Sequence, residues 1–207
     1  HRVDDETPYL WKTADFGGSW ARLGRDLDPE VYLHVVREDP NRRGLLYLGT
    51  ERGVAVSFDD GVTWDSLRLN MPTVAVVDLV VAGDDLVVGT LGRSAWILDD
   101  LTPLREANEA IAGDDARLLP PRTAVGWHQI SRWRAPLGDD AGAGENPPPG
   151  ALITYWLAEA PEQPVELEVL DAEGTVVRTL SSVLEPQYTT PDHPDWSPSS
   201  DPEPALT

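Results

Sequence analysis

Short runs of alternating apolar and polar residues, bounded by Gly, Asp, Asn or Pro, dominate the first hundred residues of the chain. Alternation over about four to eight residues is typical of β-strands that bury one face. The pattern therefore predicts an all-β protein with strands over the following ranges: Tyr9–Lys12, Val31–Arg37, Leu45–Gly49, Val54–Ser57, Ser66–Leu69, Val76–Val81, Asp85–Thr90 and Ala95–Leu98.

One pattern of eight residues occurs twice, 44 residues apart, at 13–20 and at 57–64. Both copies fit Ser/Thr-x-Asp-x-Gly-x-Ser/Thr-Trp. A carboxylate and two hydroxyls can hydrogen-bond turn amides, Gly can adopt a positive φ, and Trp can pack under the turn. We therefore predict a tight hairpin turn in each copy, with a structural role for these residues: Thr13, Asp15, Gly17, Ser19, Trp20, Ser57, Asp59, Gly61, Thr63 and Trp64.

The predicted strands also recur as a unit. Four short strands between residues 31 and 69 are followed by three more between 76 and 98, and Gly89-Thr90 repeats Gly49-Thr50 forty residues later. Units of four strands within about 40–45 residues have the size of a β-propeller blade. The third unit ends in a degenerate turn, in which Asp99-Asp100 keeps two positions of the pattern and Leu101, Pro103 and Leu104 replace its Gly, Thr and Trp.

This arrangement resembles the Asp-box, or bacterial neuraminidase repeat, family of β-propellers, which includes sialidases, xyloglucan-active hydrolases and sortilin-type receptors. The stretches 1–5, 37–53 and 92–100 are similar to the end of the propeller in large secreted bacterial proteins described as glycosyl hydrolases or sortilin-like. The resemblance covers roughly residues 1–182. It implies C-terminal blades of a propeller, further blades in a longer parent chain, and a secreted or periplasmic location. Leu91 departs from the pattern, since relatives often carry His there.

A second unit is predicted after the repeats. Strand-like runs at 151–158, 165–170 and 175–180 follow a Gly- and Pro-rich loop, and Asp171–Gly174 has the composition of a hairpin turn. Three antiparallel strands here predict part of an immunoglobulin-like β-sandwich, as in the same relatives. The predicted organisation is as follows: propeller blades over 1–104, a connector and loop over 105–150, a partial sandwich over 151–185 and a disordered tail over 186–207.

Charge and composition restrict the possible partners. The chain has 16 basic and 36 acidic residues and a net charge of −20, which argues against nucleic acid or an anionic membrane as a partner. Its apolar runs fall far short of the ~20 residues that span a bilayer. The absence of Cys excludes disulfides and thiolate chemistry. Because the sequence starts at His1 and its one Met is Met71, we expect a piece of a longer protein.

The ligand-binding candidates lie in turns at one end of the predicted sheets. In a four-stranded antiparallel unit, the turn after the second strand and the connection between units lie opposite the turn motifs. Substrates bind at that mouth in related propeller enzymes, which makes Glu51, Arg52 and Arg93 the candidate residues for a glycan or peptide ligand. The alternative is that these charges are solvated or paired in salt bridges. The four His lack zinc-ligand spacing, and no cofactor or metal site is predicted.

Two functions remain open from the sequence. A glycosidase needs two carboxyl groups across the scissile bond, and a related sialidase would use an arginine cluster with a Tyr and Glu pair. Neither set can be assembled from this chain. The first hypothesis is therefore a piece of a carbohydrate-active propeller hydrolase without a complete active site, and the alternative is a non-catalytic, sortilin-like binding scaffold. Several aromatic residues could form a sugar platform or simply a core: Trp127, His128, Trp133, Tyr155 and Trp156.

Overall fold

The computed structural model describes residues 7–107, 113–124 and 150–183. It contains two compact units, His1–Trp156 and Leu157–Thr207. Small antiparallel sheets account for nearly all of its regular structure, which confirms the predicted all-β class. The predicted disordered tail and residues 125–149 of the predicted connector, with Trp127, His128 and Trp133, lie outside the described residues.

The described part of the chain forms five sheets. Sheet 1 contains β1 and β2, sheet 2 contains β3 to β6, sheet 3 contains β7 to β9, sheet 4 pairs β10 with β11, and sheet 5 pairs β12 with β13. The elements are β1 Leu10–Lys12, β2 Ala21–Leu23, β3 Leu33–Glu38, β4 Leu46–Thr50, β5 Gly53–Ser57, β6 Asp65–Ser66, β7 Val76–Ala82, β8 Asp85–Thr90, β9 Ala95–Leu98, α1 Thr102–Glu106, β10 Ala116–Leu118, β11 Tyr155–Leu157, β12 Glu166–Leu170 and β13 Val176–Ser181.

Sheets 2 and 3 have the same strand pairing, including one irregularity. Leu33 pairs with Thr50 in sheet 2, and Val76 pairs with Thr90 in sheet 3. In both sheets the register then shifts by one residue, so that a β-bulge follows the first pair. The two sheets are thus copies of one structural unit, of which sheet 3 has three strands and sheet 2 has four.

The core of the first unit lies between these two sheets. Side chains alternate across a strand, so each sheet has two faces. One face of sheet 2 carries two rows of paired residues, Val35–Gly49–Val54 and Arg37–Tyr47–Val56. This face, and the equivalent face of each other sheet, is called the front face. The face of sheet 3 opposite to it, the back face, carries these apolar residues: Leu79, Val81, Leu86, Val88, Trp96 and Leu98. These two faces form one hydrophobic cluster.

The degenerate third turn becomes a helix instead of a hairpin. Asp100 has the same left-handed backbone as Asp60, with φ of 63° and 65°. The next residue is Gly61 at φ 89° in sheet 2, whereas Leu101 adopts a helical φ of −78°. A leucine is strongly disfavoured at the positive φ of a glycine. Leu101 is instead fully buried, and α1 follows where sheet 2 continues into β6.

The three strands after residue 150 belong to two different sheets. The first of them, β11, shares a sheet with the short strand β10, which the sequence did not predict, and Leu119 donates a backbone hydrogen bond to the Thr154 carbonyl. In the second unit, β12 and β13 form a hairpin whose turn is capped by the Asp171 carboxylate.

Candidate functional site

The first turn motif, residues 13–20, is held together by its own side chains. The Thr13 hydroxyl donates to Asp15 Oδ1 at 2.9 Å and accepts from the Gly17 amide at 2.8 Å. The Ser19 amide donates to Asp15 Oδ1 at 2.8 Å, and the Ser19 hydroxyl donates to Oδ2 at 2.7 Å. The Asp15 carboxylate therefore joins the first and the second half of the turn through hydrogen bonds to Thr13 and Ser19.

The second turn motif, residues 57–64, uses the same four bonds. The Ser57 hydroxyl donates to Asp59 Oδ1 at 2.8 Å and accepts from the Gly61 amide at 2.9 Å. The Thr63 amide and hydroxyl donate to Asp59 at 2.9 and 2.6 Å. Because the carboxylate and both hydroxyls of each copy are engaged within the turn, their chemistry is that of a folding motif.

The environment of the tryptophan differs between the two motifs. Trp64 donates its indole N–H to the Gly61 carbonyl at 3.1 Å and lies close to Gly24, in the segment that follows sheet 1. Trp20, the equivalent residue, is 58% exposed. Sheet 1 also contacts the second motif directly, through a salt bridge between Lys12 and Asp60.

The turn motifs predict an acid-dependent stability. Hydrogen bonds from the Ser19 hydroxyl and amide hold the pKa of Asp15 at about 2. Slight burial raises the pKa of Asp59, but bonds from Thr63 and Ser57 outweigh it and lower that pKa overall. A carboxyl group has a pKa near ~3.9 in the unfolded chain, so this stabilisation is complete above that value and is lost as the pH falls from about 4 towards 2.

We therefore expect the urea midpoint of unfolding to fall between pH 5 and pH 2, and an Asp15→Asn, Asp59→Asn double variant to show a shallower fall. Tryptophan fluorescence measures the midpoint. Asp115→Asn, at an exposed position outside the motifs, serves as the control and should leave the pH dependence unchanged. An equal pH dependence in the double variant would contradict the role assigned to the two carboxylates.

The candidate mouth consists of the turns 50–53 and 90–94, which lie at the same end of sheets 2 and 3. An added Cβ on Gly49 would stand 2.9 Å from the carbonyl oxygen of Val76, which places the start of β7 beside the end of β4. The turn motifs lie at the other end, where the Asp60 amide donates to the Gly44 carbonyl. The structure thus brings the three candidate residues to one end of the sheets.

Two of the three candidates are paired within the mouth. Glu51 Oε2 lies 3.5 Å from Nε2 of His34, the residue left over at the β3 bulge. Arg52 donates to Asp28 at 2.6 Å, from a turn to the segment that connects sheet 1 with sheet 2. Arg52 therefore follows the salt-bridging alternative of the sequence analysis, and Glu51 has the imidazole of His34 as its neighbour.

Arg93 differs from the other two candidates. It is exposed, its backbone carbonyl accepts a hydrogen bond from the Trp96 indole at 3.0 Å, and its guanidinium forms no ion pair with the described residues. Leu91, in the same turn, is 71% exposed. Arg93 is thus the cation of the mouth that can bind an external anion such as a carboxylate.

A buried charge network at the turn-motif end went unnoticed in the sequence. The Asp39 side chain is fully buried and accepts bonds from the amides of Asn41 and Arg42, from the Tyr47 hydroxyl at 3.0 Å and from Arg105 Nε at 3.0 Å. Burial is the main cause that raises the pKa of Tyr47.

Arg105 connects this network to the rest of the unit. It lies on α1 and also donates to Asp84 at 2.5 Å and to the Gly83 carbonyl at 3.0 Å. The turn at Asp39 could have been predicted from the sequence Asp-Pro-Asn, which is typical of a turn capped by the aspartate. No sequence signal links it to an arginine 66 residues away.

A cavity of about 300 Å³ beside α1 is lined mainly by leucines, with Asp99 and Asp100 among its polar residues, and lies apart from the mouth. No group of three His, Cys, Asp or Glu in this part of the chain could hold a metal ion. No helix in this part of the chain has the length and apolar character needed to cross a membrane.

No protein-family model, curated protein or solved structure matches the chain.

Proposed function

We propose that sheets 1, 2 and 3 are consecutive blades, or parts of blades, of an Asp-box β-propeller, and that the chain acts as a non-catalytic scaffold that binds a ligand at the candidate mouth. Three observations support the propeller: the shared hydrogen bonds of the two turn motifs, the matching bulges of sheets 2 and 3, and the front-to-back packing between these sheets. A secreted or periplasmic location and an immunoglobulin-like fold around β12 and β13 belong to the same proposal and follow from the family resemblance.

The exposed guanidinium of Arg93 is the observation on which the binding function depends. Glu51 is engaged with His34 and Arg52 with Asp28, so these charges shape the mouth, whereas Arg93 is presented to solvent. A guanidinium binds a carboxylate through two parallel hydrogen bonds. The ligand class that fits is a peptide or glycan with a free carboxylate.

The alternative of a glycoside hydrolase has no comparable geometric support. Glu51 lies beside the His34 imidazole, and Asp28, from the segment before β3, is paired with the Arg52 guanidinium. A retaining or inverting mechanism requires two carboxyl groups about 5–9.5 Å apart around the bond to be cleaved. Hydrolysis therefore remains a prediction of the family resemblance for a longer parent protein.

A pair of matched ligands tests the binding function. We expect sialyllactose to bind more tightly than lactose, or a peptide with a free C-terminal carboxylate more tightly than its amide, by calorimetry at low salt. Arg93→Ala should weaken the carboxylate ligand about tenfold, the loss of roughly one charged hydrogen-bonding contact. Arg43→Ala serves as the control because Arg43 is exposed in the β3–β4 turn, at the end opposite the mouth.

Equal affinities within both ligand pairs, or equal losses in the two arginine variants, would contradict the binding function. Release of free sugar from sialyllactose by this chain would contradict its non-catalytic character.

A further inference from the structure

The cavity beside α1 combines apolar walls with a carboxylate, and we propose that it binds a small apolar ligand that carries a protonated amine. The ammonium group lies against Asp99, and the apolar body of the ligand lies against the surrounding leucines. This site goes beyond the proposed function and uses none of the mouth residues.

The cavity is built inside the first unit. Four segments line it: the stretch 67–69 after β6, the end of β9, α1 with the residues before it, and the stretch 152–154. The faces on which further blades would pack, the back of sheet 1 and the front of sheet 3, contribute no strand residue to this lining. The cavity therefore lies apart from the surfaces that further blades would cover.

The walls and the volume suit a small apolar molecule. Aliphatic side chains from all four segments line the cavity, among them Leu67, Leu69, Leu98, Leu104 and Leu152. Its volume of about 300 Å³ is at the lower end of the range for small-molecule sites. A ligand that covers these side chains removes apolar surface from water, which favours binding in proportion to the area covered.

Two polar side chains of the lining can accept hydrogen bonds from a ligand. The half-buried Asp99 carboxylate and the Thr154 hydroxyl have no hydrogen-bond partner among the described residues. Asp100, the third polar side chain, is buried and accepts a hydrogen bond from the Thr102 amide at 3.1 Å. An ammonium group has three N–H donors and no acceptor, so Asp99 and Thr154 can each take one of its hydrogen bonds.

The charge around the cavity favours a cation over an anion. No Lys, Arg or His side chain is among its described lining residues. Arg122 lies near, but it donates to Asp85 at 2.9 Å, and this bond is the main cause that raises its pKa, to which the charges of Asp100 and Asp99 add. Arg122 thus has a carboxylate partner of its own. A carboxylate among apolar side chains is costly unless it is paired, and a bound ammonium supplies the missing partner.

NMR titrations of the whole chain with phenethylamine and with its uncharged analogue 2-phenylethanol test this site. We expect both to shift amides of residues 98–104 and 152–154, and the amine to bind at least tenfold more tightly at low salt. The net charge of −20 attracts any cation, so the preference must also depend on Asp99. Asp99→Asn should weaken phenethylamine about tenfold and leave 2-phenylethanol unchanged. Glu173→Gln is the matched control, because it removes the same charge from an exposed position in the β12–β13 turn.

The apolar wall has a test of its own. Leu69→Ser should weaken both probes about fourfold, roughly the contribution of one buried methylene, and keep their ratio. Leu69 is 69% exposed, so the variant should fold, which circular dichroism verifies for it and for Asp99→Asn. No binding of phenethylamine, equal affinities for the two probes, equal losses in Asp99→Asn and Glu173→Gln, or full affinity in Leu69→Ser would overturn the site. The ligand-binding function at the mouth would stand after any of these results, since its test depends on Arg93.

Discussion

The Arg105→Met variant is expected to lose about 3–5 kcal/mol of stability, because removing one partner of a buried ion pair leaves the other charge uncompensated. Asp39 is fully buried, and the Arg105 side chain is 11% exposed. Met keeps much of the length and apolar contact of the arginine stem, so the loss reports mainly on the guanidinium. Burial alone lowers the pKa of Arg105, but hydrogen bonds with Asp39 and Asp84 raise it overall, so the group stays charged.

Urea unfolding followed by tryptophan fluorescence measures this loss. Arg117→Met is the control, because Arg117 pairs with Asp114 on the surface, and exposed pairs contribute at most about 1 kcal/mol. A loss below about 1 kcal/mol in Arg105→Met would show that the network does not hold α1 against sheets 2 and 3.

The Gly49→Ala variant should lose about 2–3 kcal/mol. A Cβ at this position would lie 2.7 Å and 2.9 Å from methyl carbons of Val35 and Val76, and 2.9 Å from the Val76 carbonyl oxygen. The oxygen belongs to the backbone of β7, so relief requires sheet 3 to move away from sheet 2. Overpacking of a rigid core typically costs about 1–3 kcal/mol.

Gly89→Ala is the matched comparison, since Gly89 holds the same position in the repeat. Its Cβ would meet only ordinary contacts, and alanine restricts the unfolded chain more than glycine does. We expect its unfolding free energy to stay within about 1 kcal/mol of the wild type. Equal losses in the two variants would mean that sheet 3 does not pack on sheet 2 at Gly49.

Much of the first unit could be predicted because its information is local. The strands β8 and β9 have their predicted bounds, and most others agree within two residues, because alternation and turn residues lie inside each short segment. The turn motifs are also local, since each carboxylate bonds atoms two to four residues away.

Features that depend on distant partners could not be predicted. The helix α1 is five residues long and contains Pro103, and its anchoring residue Arg105 contacts Asp39 and Asp84 from far along the chain. The pairing of β11 with β10 was missed for a similar reason, because β10 is only three residues long and its partner lies beyond residue 150.

The grouping of the three candidate residues at one end of the sheets follows from the local repeat, whereas the partners of their side chains do not. Repeat topology brings Glu51, Arg52 and Arg93 to one end, as the turns 50–53 and 90–94 show. Which charges are paired depends on side chains from other segments, Asp28 for Arg52 and the bulge residue His34 for Glu51. Sequence spacing does not reveal these partners.

Native-state hydrogen exchange of the whole chain tests the central claim most directly, namely that sheets 2 and 3 are copies of one unit joined front to back in a single core. The account predicts that amides of β4, β5, β7 and β8 exchange with the same opening free energy and respond equally to urea, as one cooperative unit. The claim would be contradicted if the amides of β7 and β8 exchanged with an opening free energy several kcal/mol lower than those of β4 and β5. The two sheets would then unfold independently.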